Sequence, residues 1–309
     1  MSQTVFLFPG QGSQAVGMGS TLYQNTEIGR KRFQEANEIL GRDLTHICFD
    51  GPEEELRRTS NTQPALVVVS AILTDLLREK GVEPTACAGH SLGEYAALYA
   101  AGVFDFETAV KLVAQRGEEM SKAAEANPGA MAAIIGLDID KTSESCEAAG
   151  GIVIVANDNC PGQLVISGEK EAVLRACEEA KSRGAKRALP LPVQGAYHSP
   201  YMDAATMPMQ TALEAATFNE PKVPVIANVT AEPHEDPDSI KTLLAQQITA
   251  PVRWTESIRY LLDHDFGPFI EVGHGRVLSG LMRRIDRKAT SHNIENENEL
   301  EAVIAELNG

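Results

Sequence analysis

The 309-residue chain is poor in aromatic side chains, which make up 5% of it with a single tryptophan. That scarcity argues against a platform that stacks nucleic-acid bases. Positive charge is also scarce: 27 Lys and Arg stand against 43 Asp and Glu, a formal charge of −16. Such a surface repels phosphate backbones, so no nucleic-acid partner is expected. The five cysteines (Cys48, Cys87, Cys146, Cys160 and Cys177) are odd in number and form no CxxC pair. Neither a metal site nor a disulfide framework is indicated, and a reducing cytoplasm is the expected location. Long apolar runs are missing too. The most apolar stretch, 65–77, is broken by Ser70, Thr74 and Asp75 and is too short and polar to cross a bilayer. No signal peptide and no membrane partner are expected.

What the chain does have is a 43% hydrophobic fraction, enough for one large domain or two unequal ones. Residues 5–8 form an unbroken apolar run, which predicts a strand buried on both faces of a parallel sheet. Helical spacing predicts helices over 27–40, 64–80 (with Pro64 in its first turn), 92–101 and 106–126, with a short strand at 85–89. Strands alternating with helices predict an α/β architecture. After Asn127-Pro128-Gly129 the order becomes strand 131–137, helix 141–149, strands 152–156 and 163–167 around a turn at 157–162, helix 170–183 and strand 187–191. That β-α-β-β-α-β order is ferredoxin-like. It predicts a small domain, 128–191, inserted into a core of 1–127 and 192–309. The core continues with helices at 202–216, 240–248 and 277–285 and strands at 223–228 and 269–272. The acidic tail 295–306 is expected to be a solvated helix or loop.

Two short stretches carry chemistry. Gly89-His90-Ser91-Leu92-Gly93 is a GxSxG set between a predicted strand and a predicted helix, where a nucleophile elbow needs small neighbours so that the backbone can fold back. The following helix N-terminus favours negative charge near Ser91. A serine nucleophile needs a base, and seven histidines are available. His90 adjoins Ser91, but a turn so tight should aim its side chain elsewhere. His198 lies in the turn-rich segment 193–200 where the two expected domains rejoin, and clefts form at such junctions. The other stretch, FPGQGSQ at 8–14, fits the loose form of a dinucleotide-binding turn. That reading fails on its surroundings, since 27–40 is helical where a second strand is needed and Pro9 sits inside the turn. A loop that presents Gln11 to an acyl group is left.

The chain resembles malonyl-CoA:acyl carrier protein transacylases of fatty-acid synthesis and the related acyltransferase domains of polyketide synthases. The resemblance runs nearly end to end. Its carriers are FPGQGSQ, TQPAL at 62–66, GHSLGEYAAL at 89–98, QRGEEM around Arg116, GAMAAIIG at 129–136, NDNCPGQLVISG at 157–168, GAYHSP at 195–200, QQITAPVRW at 246–254 and EVGHGRVLSGL at 271–281.

It implies a hydrolase-like α/β core with a mostly parallel sheet plus the ferredoxin-like insert. It implies Ser91 as nucleophile and His198 as base, the histidine oriented by a backbone carbonyl at the position of Gln247. Gln11 and the Leu92 N–H would form the oxyanion hole, and Arg116 would clamp the malonyl carboxylate. Tyr197 stands where the family usually has Phe and would shape acyl selectivity. Asn157 and Asn159 match polar positions near the cleft, though a plain turn explains them equally. His90 completes the expected substrate-side group. Gln63 matches a family position, and helix capping explains it as well.

The implied partners are malonyl-CoA and, transiently, acyl carrier protein, with no cofactor and a monomeric enzyme. Lys186, Arg187 and the basic cluster at 283–288 are candidates for carrier docking. A serine hydrolase or thioesterase using Asp158 as its acid, or a trans-acting polyketide acyltransferase, is the alternative.

Overall fold

The computed structural model describes residues 4–193 and 195–308. Gln194, within the expected junction segment, lies outside them, as do residues 1–3 and 309. The strands are β1 (Val5–Phe8), β2 (Ala86–Gly89), β3 (Ala130–Ile135), β4 (Val153–Cys160), β5 (Gln163–Gly168), β6 (Arg187–Pro190), β7 (Val225–Ile226), β8 (Phe269–Val272) and β9 (Ser291–Ile294). They form a five-stranded sheet in the order β7-β2-β1-β8-β9 and a four-stranded sheet in the order β4-β5-β3-β6.

Every pairing in the larger sheet is parallel. β1 sits at its centre, and its alternate side chains feed two different cores. Phe6 and Phe8 join the cluster built on helix Thr59–Glu79, while Val5 and Leu7 join that of Trp254 and Ile258. Burial on both faces is why β1 is apolar throughout rather than alternating. The smaller sheet is antiparallel, and helices Ile139–Ala149 and Lys170–Ser182 close a separate core over it with Ile134, Ile166 and Val173. This is the ferredoxin-like strand order.

Several local expectations change. The helix expected to begin at Pro64 begins at Thr59. Proline leaves the Ser60 carbonyl without its helical donor, and Arg42 Nη2 supplies one at 2.5 Å. Asn157 and Asn159 are not in a turn; both lie inside β4, which stays paired by shifting register between Val155 and Asn157 and again between Asp158 and Cys160. Those irregularities accommodate polar residues in a strand. They also let β4 pair on its other side, where the Asp158 N–H donates to the Val252 carbonyl at 3.0 Å. The expected helix 202–216 splits into a 3-10 turn, Pro200–Ala205, and helix Thr206–Ala215. The tail is not merely solvated: helix Glu297–Asn308 buries Leu300 and Val303 beside β9. β9 and helix Trp254–Asp263 have no counterpart among the sequence expectations.

Candidate active site

β2 delivers the chain into the GxSxG turn, and helix Gly93–Ala100 leaves it. Ser91 has φ 52°, a left-handed backbone that a non-glycine residue keeps only when its surroundings enforce it. Both glycines have a steric reason. A Cβ on Gly89 would lie 2.0 Å from the Gly93 carbonyl, and one on Gly93 would lie 2.2 Å from the Phe8 carbonyl oxygen of β1. Asn228, at the exit of β7, locks the turn from outside. Its Oδ1 accepts from the Ser91 N–H at 2.6 Å, and its Nδ2 donates to the Gly89 carbonyl at 2.7 Å.

His198, also left-handed with φ 56°, is 4% exposed. Its Nε2 is 2.7 Å from Ser91 Oγ and its Nδ1 is 2.8 Å from the Gln247 carbonyl oxygen. A carbonyl can only accept, so Nδ1 carries the proton and Nε2 is free to accept from the serine hydroxyl. Burial, reinforced by the Arg116 charge, pushes the imidazole pKa down to about 3. The free base is therefore the resting form. Asp158 takes no part: its Oδ1 accepts from Thr255 Oγ1 at 2.7 Å, and the place opposite His198 Nδ1 belongs to a backbone carbonyl. The acid offered for the hydrolase alternative is thus engaged elsewhere.

Arg116 is not a surface residue of helix Phe106–Ala126 but is 1% exposed. Nη1 donates to Gln63 Oε1 at 3.0 Å, and Nη2 donates to Ser91 Oγ at 3.1 Å and Gln247 Oε1 at 2.9 Å. All three partners are neutral. Burial presses its pKa down, opposed by Tyr95 and Glu94, yet a guanidinium stays charged at neutral pH. Gln63 therefore holds Arg116 from the interior of helix Thr59–Glu79 and does not cap it.

The remaining expected residues divide. Gln247 is the linchpin of the site, with its carbonyl on His198 and its Nε2 donating to the Ser91 carbonyl at 3.1 Å. Leu92 occupies the N-cap of helix Gly93–Ala100, directly after Ser91. Gln11 is exposed in the turn after β1, which is pressed onto the elbow: a Cβ on Gly10 would meet the His90 carbonyl oxygen at 2.5 Å. Gln11 and Tyr197 line one cavity of about 780 Å³, together with Arg57, Arg58 and Ser60. The Tyr197 hydroxyl, the departure from Phe, is 2.9 Å from Thr59 Oγ1.

His90 turns away from Ser91, with Nε2 2.8 Å from Asn159 Oδ1 and its ring tilted against Trp254. Asn159 thus holds His90, and Asn157 is buried between Val165 and Val252. Arg284 of the basic cluster donates to Gln163 Oε1 at 2.5 Å and the Pro161 carbonyl at 3.2 Å, fastening helix Val277–Ile285 to the β4–β5 hairpin.

Sequence reasoning missed Asn228, Glu94 and His234. Glu94 carries a signal, a lone charge in the otherwise apolar helix sequence GEYAALYA. Among the described residues no helix is long and apolar enough to cross a membrane, and no group of His, Cys, Asp or Glu is suited to a metal ion.

A strained serine after a parallel strand, with a histidine held by a carbonyl, places the chain among α/β proteins built for acyl chemistry on a hydroxyl. Comparison with known proteins narrows the class. Residues 5–301 match the acyl transferase domain. The chain is 43% identical over 310 residues to the malonyl CoA-acyl carrier protein transacylase of Bacillus subtilis, covering 99% of this chain and 98% of that one. It superposes on the crystal structure of an acyl carrier protein S-malonyltransferase from Vibrio cholerae with TM-score 0.95 and 44% identity, covering 98% and 100% of the two chains. A structure of a type II PKS acyl-carrier protein in complex with its malonyl-transacylase gives TM-score 0.96 and 41% identity, covering 99% and 100%. The chain belongs to the acyl transferase domain family.

Proposed function

We propose that the protein moves a malonyl group from malonyl-CoA to the phosphopantetheine thiol of an acyl carrier protein through a malonyl ester on Ser91. The names of its relatives and the complex of one of them with a carrier protein support this reading. In the first half, His198 Nε2 takes the Ser91 hydroxyl proton as Oγ attacks the thioester carbonyl. The Leu92 N–H and Gln11 steady the oxyanion. The tetrahedral adduct collapses, the C–S bond breaks, and the imidazolium returns its proton to the CoA thiolate. In the second half the carrier thiol gives its proton to His198 and its sulfur attacks the ester. Ser91 then leaves and is reprotonated. This is ping-pong chemistry and, as written, needs no metal or redox cofactor.

One observation carries the malonyl assignment. A fully buried guanidinium with only neutral partners stands 3.1 Å from Ser91 Oγ. It lacks an anion, and an acyl group ending in a carboxylate supplies one through paired, charge-assisted bonds.

Mass spectrometry of the protein incubated with malonyl-CoA tests the proposal. A malonyl adduct on Ser91 that passes to carrier protein is expected. Rapid hydrolysis without transfer would make the protein a thioesterase. Equal acylation by acetyl-CoA would remove Arg116 as a clamp.

A further inference from the structure

Glu94 lies on the first turn after the elbow and is 1% exposed. A buried carboxylate is costly unless every lone pair it offers finds a donor. Here the donors come from the connection that follows β7, which carries Asn228 and His234, and from Gln247 at the end of helix Pro237–Gln246. Oε1 is 2.8 Å from His234 Nε2. Oε2 accepts from the Asn228 N–H at 3.0 Å and from Gln247 Nε2 at 2.7 Å.

Two of these donors belong to residues that touch the reacting groups. Asn228 grips the elbow on both sides of His90, at Gly89 and at Ser91. Gln247 presents its carbonyl to His198, and its Oε1 to Arg116. The orientation of the Gln247 amide follows from chemistry. A carboxylate only accepts and a guanidinium only donates, so Nε2 must face Glu94 and Oε1 must face Arg116. Glu94 therefore fixes which way that amide points.

We infer that Glu94 is a positioning residue that sets nucleophile and base in register by holding Asn228 and Gln247 at once. This rests on Ser91 and His198 acting as nucleophile and base. What Glu94 supplies is reach and two acceptors on one oxygen. Its negative charge is secondary. An amide can reproduce the acceptor pattern: its oxygen takes the Asn228 and Gln247 donors, and its NH₂ donates to His234 Nε2, whose proton then moves to Nδ1. That Nδ1 is buried and has no partner in the structure, so it is free to carry the proton.

The test sets Glu94→Gln, which keeps reach and loses charge, against Glu94→Asp, which keeps charge and loses one methylene of reach. The probe is a fluorophosphonate that labels activated serines, so neither malonyl-CoA nor carrier protein enters the readout. Labelling is measured on folded protein, with circular dichroism and the melting temperature recorded alongside. Positioning predicts that Glu94→Gln slows labelling by less than about tenfold. Withdrawing the carboxylate by about an ångström in Glu94→Asp should slow it about 100-fold.

Glu94→Asp labelling that is not at least about tenfold slower than Glu94→Gln overturns the inference. A merely structural role would lower the melting temperature of both variants and leave the labelling of the folded fraction unchanged, which also overturns it. A wild-type protein that fails to label at Ser91, with Ser91→Ala as control, would instead bring down the reading of the nucleophile on which the inference rests.

Discussion

Acidifying the protein should leave Ser91 reactive well below the pH at which an ordinary imidazole stops serving as a base. Removal of His198 from water is the larger cause, and the nearby Arg116 charge is the next; together they push its pKa down to about 3. The Nδ1 bond to the Gln247 carbonyl favours the charged form and is too weak to offset them. The working base is the neutral ring. At pH 5 an imidazole of pKa about 6.5 would be roughly 3% neutral, whereas one of pKa about 3 would be roughly 99% neutral, a difference of about 30-fold in rate. The assay is the labelling rate of Ser91 by an uncharged fluorophosphonate between about pH 4 and 8, which reports the free enzyme's base.

The same shift bears on stability. The unfolded chain takes up this proton near pH 6.5, and the folded chain does so only near 3. The stability that depends on a neutral His198 is complete above pH 6.5 and drains away as the pH falls towards 3. Short acid exposures, checked by circular dichroism, keep the two effects apart. A labelling rate that halves near pH 6.5 while the protein stays folded would refute the reasoning. Arg116→Met removes the second cause and should move the break upward; an unmoved break would mean that the guanidinium does not act on His198.

Two further substitutions separate chemistry from architecture. Gln11→Ala should lower the acylation rate by about 100-fold, the usual cost of about 3 kcal/mol for one oxyanion donor, and leave the melting temperature nearly unchanged because the side chain is exposed. Equal losses in rate and stability would make Gln11 a turn residue only. Gly93→Ala forces a methyl to within 2.2 Å of the Phe8 carbonyl oxygen and 2.9 Å of that of Pro9, both backbone atoms of the central strand and its exit. Urea unfolding should show a loss of about 3 kcal/mol, at the upper end for overpacking. A loss under about 1 kcal/mol would show that the elbow can move away from β1.

Some of this site could be read before folding and some could not. Residues 5–8 announce a strand buried on both faces because no polar residue interrupts them, and β1 is that strand. The elbow is legible because GxSxG is a five-residue pattern set between a strand and a helix; the Gly89 clash lies within those residues, whereas that of Gly93 is with Phe8 and Pro9 and belongs to the tertiary structure. Arg116 comes into view only through resemblance, since nothing in its own neighbourhood marks it off from other arginines, and His198 stands out from the other histidines only by its place in the turn-rich junction 193–200. β4 misled for a physical reason: Asn, Asp and Pro signal turns, yet irregular register and a second partner at Val252 keep Asn157 and Asn159 in the strand. Glu94 escapes sequence reasoning, and capping explains Gln63 as well as its family position does, because a polar side chain on a helix is ordinarily solvated or at a cap; here both point inward to other polar groups.

By itself, then, the sequence determined what depends on near neighbours: the apolar strands, the amphipathic helices, the glycine-bounded serine and the β-α-β-β-α-β order of the smaller sheet. Steric and hydrophobic demands of that kind act over a few residues and leave their mark in local pattern. Tertiary structure decided everything that joins distant segments. His198 meets Ser91 across 107 positions, Gln247 meets Ser91 across 156, and Glu94 meets Asn228 across 134. Those pairs form because the parallel sheet brings the ends of β1, β2 and β7 to one edge, where loops from far apart in the chain must share buried donors and acceptors. No periodicity records which donor will face which acceptor. That is settled only when burial makes each unpaired group costly.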